Sequence, residues 1–303
     1  MEEILSHYIS DEDFVKSFEK ATTSRNHDRA VRDLVSQALS AFSNQNWDEL
    51  HETARRLRWV QMWNFALEAF TVVTRGKLKI FGKTNQTFKS TVSLADALRV
   101  TACNMEQDNC RRRRNDVLSL FREALNGTQD ESLLQEARMR LGSFYTDKGE
   151  YDAARSELQH AEAYKNTSRT QLFELRMTWI DIPINQEQFL EAEEAFENLL
   201  GDLSKSDVDR LIRNTALDRY ANVLVNIKWK AAGKAEDSTL EGPDLRKAHD
   251  MYHELFNFYS GMSDIVGVSG IANSSLPYLS IRVVHYGNQM RVMKKRMEEL
   301  KTK

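Results

Sequence analysis

The stretch from Gln135 to Ala161 restricts the possible folds of this chain more than any other. Small and large apolar residues recur there at fixed offsets: Leu141, Gly142 and Tyr145, then Gly149 and Tyr151, then Ala154, Leu158 and Ala161. The early residues share one face of a helix and the late ones share one face of a second helix, with a turn at Asp147 to Gly149. Such spacing demands two antiparallel helices in close contact. A small residue lets the neighbouring helix approach, and a large one fills the space beside it.

A second unit begins at Arg169, 34 residues after Gln135. Leu172, Leu175 and Trp179 take its first-helix places, and Phe189, Ala192, Phe196 and Leu199 take the second. Trp179 and Phe189 are ten apart where Tyr145 and Tyr151 are six apart, so four extra residues around Ile182-Pro183-Ile184 must extend or kink the first helix.

These residues resemble the tetratricopeptide repeat family, whose signature has a 34-residue period. With Gln135 as the first repeat position, Leu141, Gly142, Tyr145, Gly149, Tyr151, Ala154 and Ala161 match it. Arg138 stands at the Trp position, Leu158 at the Phe position, Asn166 at the closing Pro and, in the second unit, Arg176 at the Gly. The resemblance implies an all-α, antiparallel array of helix pairs. Its first helices would line a concave surface at repeat positions 2, 5, 9 and 12. In this chain those are Glu136, Met139, Ser143 and Thr146, then Thr170, Phe173, Met177 and Ile180. Adaptable Met among aromatic and small residues suits a partner peptide or helix. Met139 and Ser143 replace the basic-and-Asn clamp of chaperone-binding members, so chaperone tails are not the implied ligand.

Composition agrees with a helical chain. Of 303 residues 41% are hydrophobic and 29% charged, with three Pro and twelve Gly. A net charge of −3 gives no overall field for nucleic acid or anionic membrane. Cys103 and Cys110 are too few for a disulfide framework and point to a reducing compartment, cytoplasmic or nuclear. The start M-E-E-I-L-S-H-Y lacks the basic and apolar runs of a signal peptide, and no apolar run reaches the roughly 20 residues of a membrane span. The four N-x-S/T sequons, at Asn85, Asn126, Asn166 and Asn273, are therefore read as chance.

Taken in order, residues 1–26 form an N-terminal helical segment, with Ser10 or Asp11 capping a helix through Phe14 and Phe18. Residues 27–260 carry the helix pairs, at 27–57, 93–126, 132–164 and 168–200, with a further pair over 211–259. Residues 59–74 are apolar on several sides and read as a buried helix. Residues 75–89 hold five basic residues, no acid, two Gly and two Thr, and read as a loop or short irregular segment. Asn126-Gly127 is a helix stop. A long helix covers 206–230, and residues 230–242 form a polar loop. Residues 261–303 form the C-terminal cap: a short buried segment over 261–275, then a last helix from Leu276 to Lys301.

Candidate chemistry is sparse. His249 and His253 share a helix face at a spacing that can hold a metal, but no third ligand accompanies them, and solvent-facing histidines are the expectation. Cys103 and Cys110 have the spacing of neither a zinc site nor a redox pair. No phosphate loop, nucleophile elbow or paired-carboxylate motif occurs, so no metal, cofactor or turnover is expected. Arg111, Arg112, Arg113 and Arg114 suit a solvated helix start, an import signal or a phosphate patch. With Lys77, Lys79, Lys83 and Lys89 they make a possible basic patch for RNA, Phe81 and Phe88 being the stacking candidates.

The leading expectation is a non-enzymatic scaffold or adaptor that binds a partner peptide or helix in the concave groove. One alternative is a subunit of a larger assembly, loosely similar to the helical half of proteasome-lid or signalosome subunits, although residues 265–303 lack their strand pattern. A second alternative is an RNA-binding helical repeat that uses the basic segments.

Overall fold

The computed structural model describes residues 1–24, 27, 29–60, 62–102, 107–165, 168–203, 210–224, 242–269 and 276–301. Among the described residues every regular element is a helix. They are α1 (Glu2–Ser6), α2 (Asp11–Thr23), α3 (Arg29–Ser43), α4 (Trp47–Trp59), α5 (Trp63–Phe81), α6 (Asn85–Ala102) and α7 (Gln107–Gly127). Then come α8 (Glu131–Asp147), α9 (Tyr151–Glu162), α10 (Arg169–Asn185), α11 (Phe189–Leu203), α12 (Arg210–Asn222), α13 (Gly242–Ser269) and α14 (Leu276–Lys301).

Local chemistry sets many of the boundaries. The Ser10 hydroxyl accepts the Asp13 amide at 3.0 Å and starts α2, and the Asn46 side chain accepts the Glu49 amide at 3.3 Å and starts α4. Ser168 and Gln171 form a reciprocal capping box at the head of α10. Gly82 and Gly149 take positive φ, +64° and +75°, at the turns after α5 and α8. The extra residues around Pro183 extend α10, which runs unbroken to Asn185.

Two expectations are corrected here. Residues 75–89 are not irregular: α5 continues through Phe81 and α6 starts at Asn85. Gly76 is a packing glycine inside α5, because the Trp47 ring stands 2.7 Å from where its Cβ would lie. The Thr87 hydroxyl donates to the Gly82 carbonyl at 2.7 Å and so closes the turn instead of loosening it. Residues 261–269 are not a separate short element either, because α13 runs through them without a break. Residues 225–241 and 270–275, which hold the expected loop and part of the expected cap, lie outside the described residues, as does Cys103.

The chain divides into two compact units. The first comprises Met1–Tyr145 and Asp152–Thr167, the second Thr146–Tyr151 and Ser168–Lys303. In the first unit successive helices pack in chain order, α2 on α3, α3 on α4, α4 on α5, α5 on α6 and α6 on α7. Its core holds Phe14, Phe18, Leu50, Leu57, Phe70, Phe88 and Phe121. Arg75 ties α1 and α2 to α5: it donates to the carbonyls of Leu5 and Ile9 and pairs with Asp11 at 2.6 Å. The hairpin read from Gln135 to Ala161 is present, with Leu158 packed where a Gly142 Cβ would stand and Gln135 donating to the Ala161 carbonyl at 3.0 Å.

In the second unit α10 packs on α11, α11 on α12, α12 on α13, and α13 along α14. Phe196 stacks on Tyr220 with ring centroids 4.9 Å apart, and Tyr252 lies against Tyr286 at 6.2 Å. The Tyr151 hydroxyl donates to the Asn185 carbonyl at 2.9 Å.

Gly76→Ala tests the close approach of α4 to α5. Helix propensity alone favours Ala by about 1 kcal/mol, whereas a methyl driven into the rigid Trp47 ring costs about 1–3 kcal/mol. The expected outcome is a net loss of stability in a urea melt, reversed in sign if Trp47 is also replaced by Leu.

Candidate functional site

The row expected to line a concave groove faces inward for the most part. Met139, Ser143, Thr146, Phe173, Met177 and Ile180 are all buried, Glu136 is half-buried and Thr170 is exposed. Phe173, Met177 and Ile180 belong to the core of the second unit, with Phe196 and Tyr220. Apolar residues at i, i+4 and i+7 on α10 serve that core, and the accessible stripe lies one residue to the side: Arg169, Leu172 and Arg176. Leu172 is 43% exposed, and the Arg169 and Arg176 guanidiniums lie 5.8 and 5.9 Å from the Phe173 ring. Arg176 also pairs with Asp202 of α11 at 2.7 Å.

The expected basic patch is not one surface. Thr128 donates to the Asn85 side chain at 2.6 Å, and Arg113 donates to the Thr101 hydroxyl at 3.0 Å, so α6 and α7 run antiparallel. Lys79, Lys83 and Lys89 therefore sit near the end of α7, and Arg111–Arg114 near its start. The 13 residues from Arg114 to Gly127 span about 20 Å of helix. Several of these cations have structural work. Lys77 is buried and pairs with Asp48 at 2.6 Å, and Lys83 pairs with Glu123 at 2.6 Å. Arg113 lies over the Tyr8 ring at 5.6 Å, where the Tyr8 hydroxyl donates to Asp116 at 2.6 Å. Arg111, Arg112 and Arg114 are exposed. Of the two stacking candidates, Phe88 is buried against Gly127, whereas Phe81 is 45% exposed.

A buried charge centre carries no motif. Asp96, on the inner face of α6, meets Arg58 of α4 at 3.0 Å, Arg99 of its own helix at 2.9 Å and Arg140 of α8 at 3.9 Å. Burial by itself pushes the Asp96 carboxyl up, but the guanidiniums of Arg99, Arg140 and Arg58 outweigh it and hold the group well below the usual carboxylate range. The one sign in the sequence was a lone acid within the apolar run Leu94, Ala97, Leu98 and Thr101.

His51 of α4 is buried edge-on against the Phe70 ring at 5.4 Å, and among the described residues neither ring nitrogen has a hydrogen-bond partner. Burial, then repulsion from Lys77, Lys89 and Arg55, lowers its pKa to about 3, against the opposing pull of Asp48. It is a neutral core side chain.

The remaining candidates also have ordinary partners. His249 and His253 stack with centroids 6.4 Å apart, His249 beside Asp250 and His253 beside Asn257. Among the described residues no group of three His, Cys, Asp or Glu side chains comes together. Cys110 is a half-buried free thiol. Lys247 donates to Tyr220 at 2.5 Å and to Glu197 at 2.6 Å, linking α13, α12 and α11. Burial pushes the Tyr220 hydroxyl up to about 12, against the lowering effect of Lys247. No helix among the described residues is long and apolar enough to cross a membrane. No family model, curated protein or solved structure matches the chain.

Two measurements follow from the charges. Asp96→Asn leaves three guanidiniums facing a neutral amide, and a loss of about 3 kcal/mol is expected in a denaturant melt of the first unit, the scale seen when one partner of a buried pair is removed. His51 takes up a proton more readily when the chain is unfolded. Its contribution is complete above pH ~6.5 and falls away as the pH drops toward the folded value of about 3. Stability should therefore fall by about 2–3 kcal/mol between pH 6.5 and 4.5, and the slope over that range should flatten in His51→Leu.

Proposed function

We propose that this chain is a non-catalytic helical scaffold that recognises another protein, and that the outward stripe of α10 makes the contact. The observation that carries this reading is Leu172. It is a large apolar side chain, 43% exposed, between Arg169 and Arg176 on a helix whose adjacent row anchors a core. An apolar anchor in a charged rim is the usual anatomy of a recognition surface: the anchor supplies affinity and the rim supplies orientation and rate.

Helices that pack on their sequence neighbours support a tetratricopeptide-like array, since such arrays offer long lateral surfaces made of successive hairpins. The Gly142–Leu158 contact and the left-handed Gly149 fall where that pattern asks for them. The buried row of Phe173 and Met177 moves the proposed contact from the groove positions to their outer neighbours.

The test is an affinity capture comparing wild type, Leu172→Asp with Arg176→Glu, and Phe173→Asp. The outer double variant should stay folded, at a cost of about 1 kcal/mol for the lost Arg176–Asp202 pair, and lose a stoichiometric protein partner. Phe173→Asp should fail to fold, because it buries a charge in the second core. A partner retained by the folded double variant overturns the α10 assignment. Recovery of nucleic acid alone, stripped off by salt, would favour RNA binding through Arg111, Arg112 and Arg114 instead.

A further inference from the structure

The turn between α5 and α6 stands out from the rest of the first unit. Eight consecutive residues, Lys79 to Gln86, are exposed. On one side the α5 residues Ala69 to Thr74 are buried, and on the other the α6 residues Ser90 to Leu98 are buried. A run of that length at the end of a helical hairpin is a projecting tip. Its apex is apolar: Ile80 is 53% exposed and Phe81 45% exposed, side by side before the left-handed Gly82.

The tip also has a sign and a rigid base. From Arg75 to Lys89 there is no acid in the sequence. Lys79, Lys83 and Lys89 are exposed along this turn and the first residues of α6, Lys83 sharing its charge with the mostly covered Glu123 at 2.6 Å and with the field of Glu2, and Lys89 lying within the field of Asp48. Beneath them, Phe88 packs against Gly127, Asn85 accepts from Thr128 at 2.6 Å, and Thr87 closes the turn onto Gly82. The exposed pair is thus presented by a fixed support.

We propose that this tip docks onto an anionic lipid surface, with Ile80 and Phe81 entering the interfacial layer and Lys79, Lys83 and Lys89 held at the headgroups. A projecting apex fits a soft, flat acceptor, whereas capture of a peptide or small ligand requires a concavity. Two weak signals acting together, apolar insertion and basic attraction, are what reversible attachment needs. The surface potential of acidic lipids supplies a complementary charge that the overall net charge of −3 does not forbid, because it acts within about a Debye length of the tip.

The experiment is sedimentation of the full chain with phosphatidylcholine vesicles, with and without phosphatidylserine, at low and high salt. Wild type should bind only the phosphatidylserine vesicles and be released by salt. Lys79→Ala with Lys89→Ala should weaken binding roughly 25-fold, at about a fivefold loss per lysine. Ile80→Asp with Phe81→Asp should abolish binding without moving the melting point, since both side chains are exposed. Phe81→Trp should gain quenching by brominated lipid over the wild-type background.

Absence of wild-type binding overturns the proposal. So does binding that survives the tip variants and is lost in an Arg111→Ala, Arg112→Ala, Arg114→Ala variant. Loss of a captured protein in the tip variants, with vesicles ignored by wild type, assigns the tip to a protein contact instead. Leu172→Asp should leave vesicle binding intact, which keeps this outcome separate from that of the α10 surface.

Discussion

Asp96 is the fixed point of the first unit. A carboxylate taken out of water costs several kcal/mol unless cations follow it, and here guanidiniums from α4, α6 and α8 do so. The three helices are far apart in sequence, and their contact with one charge sets how they approach. Burial also lowers the pKa of Arg58, together with repulsion from Arg140, against the attraction of Asp96. The centre therefore holds because each member is covered together with the others, and losing any one exposes the rest to an unpaired field.

The same economy explains the basic segment. Arg75 closes the N-terminal helices onto α5, Lys77 serves a buried pair, and Lys83 neutralises Glu123. In the sequence these residues look like one positive stretch beside Arg111–Arg114. Antiparallel packing of α6 on α7 places the two groups at opposite ends, so no single face collects them. Of the basic candidates, the tip lysines and Arg111, Arg112 and Arg114 are the ones left exposed.

The hairpin from Gln135 to Ala161 was legible because its turn needs a residue in the left-handed region and its contact needs a missing side chain. Gly149 and Gly142 meet those needs locally. The start of α10 was legible from the 34-residue spacing after Gln135, and the structure adds that Ser168 and Gln171 satisfy that helix end through their own side chains. Gly76 misled for the opposite reason. A glycine that breaks a helix and one that admits an indole ring look alike until the ring is in place. The groove row was misplaced because a helical period names the residues on one face without saying which face meets the core.

The sequence by itself determined that the chain is helical and where the α8–α9 turn falls, because periodicity and turn glycines act within a few residues. It also determined the apolar rows from which the cores are built. Only the tertiary structure decided that Phe173 and Met177 are covered while Leu172 is not, that Asp96 gathers three arginines, and that Ile80 and Phe81 project. Each of these depends on what a second helix does to a face, and distant pairing is fixed by packing and desolvation across the whole fold, which no local pattern encodes.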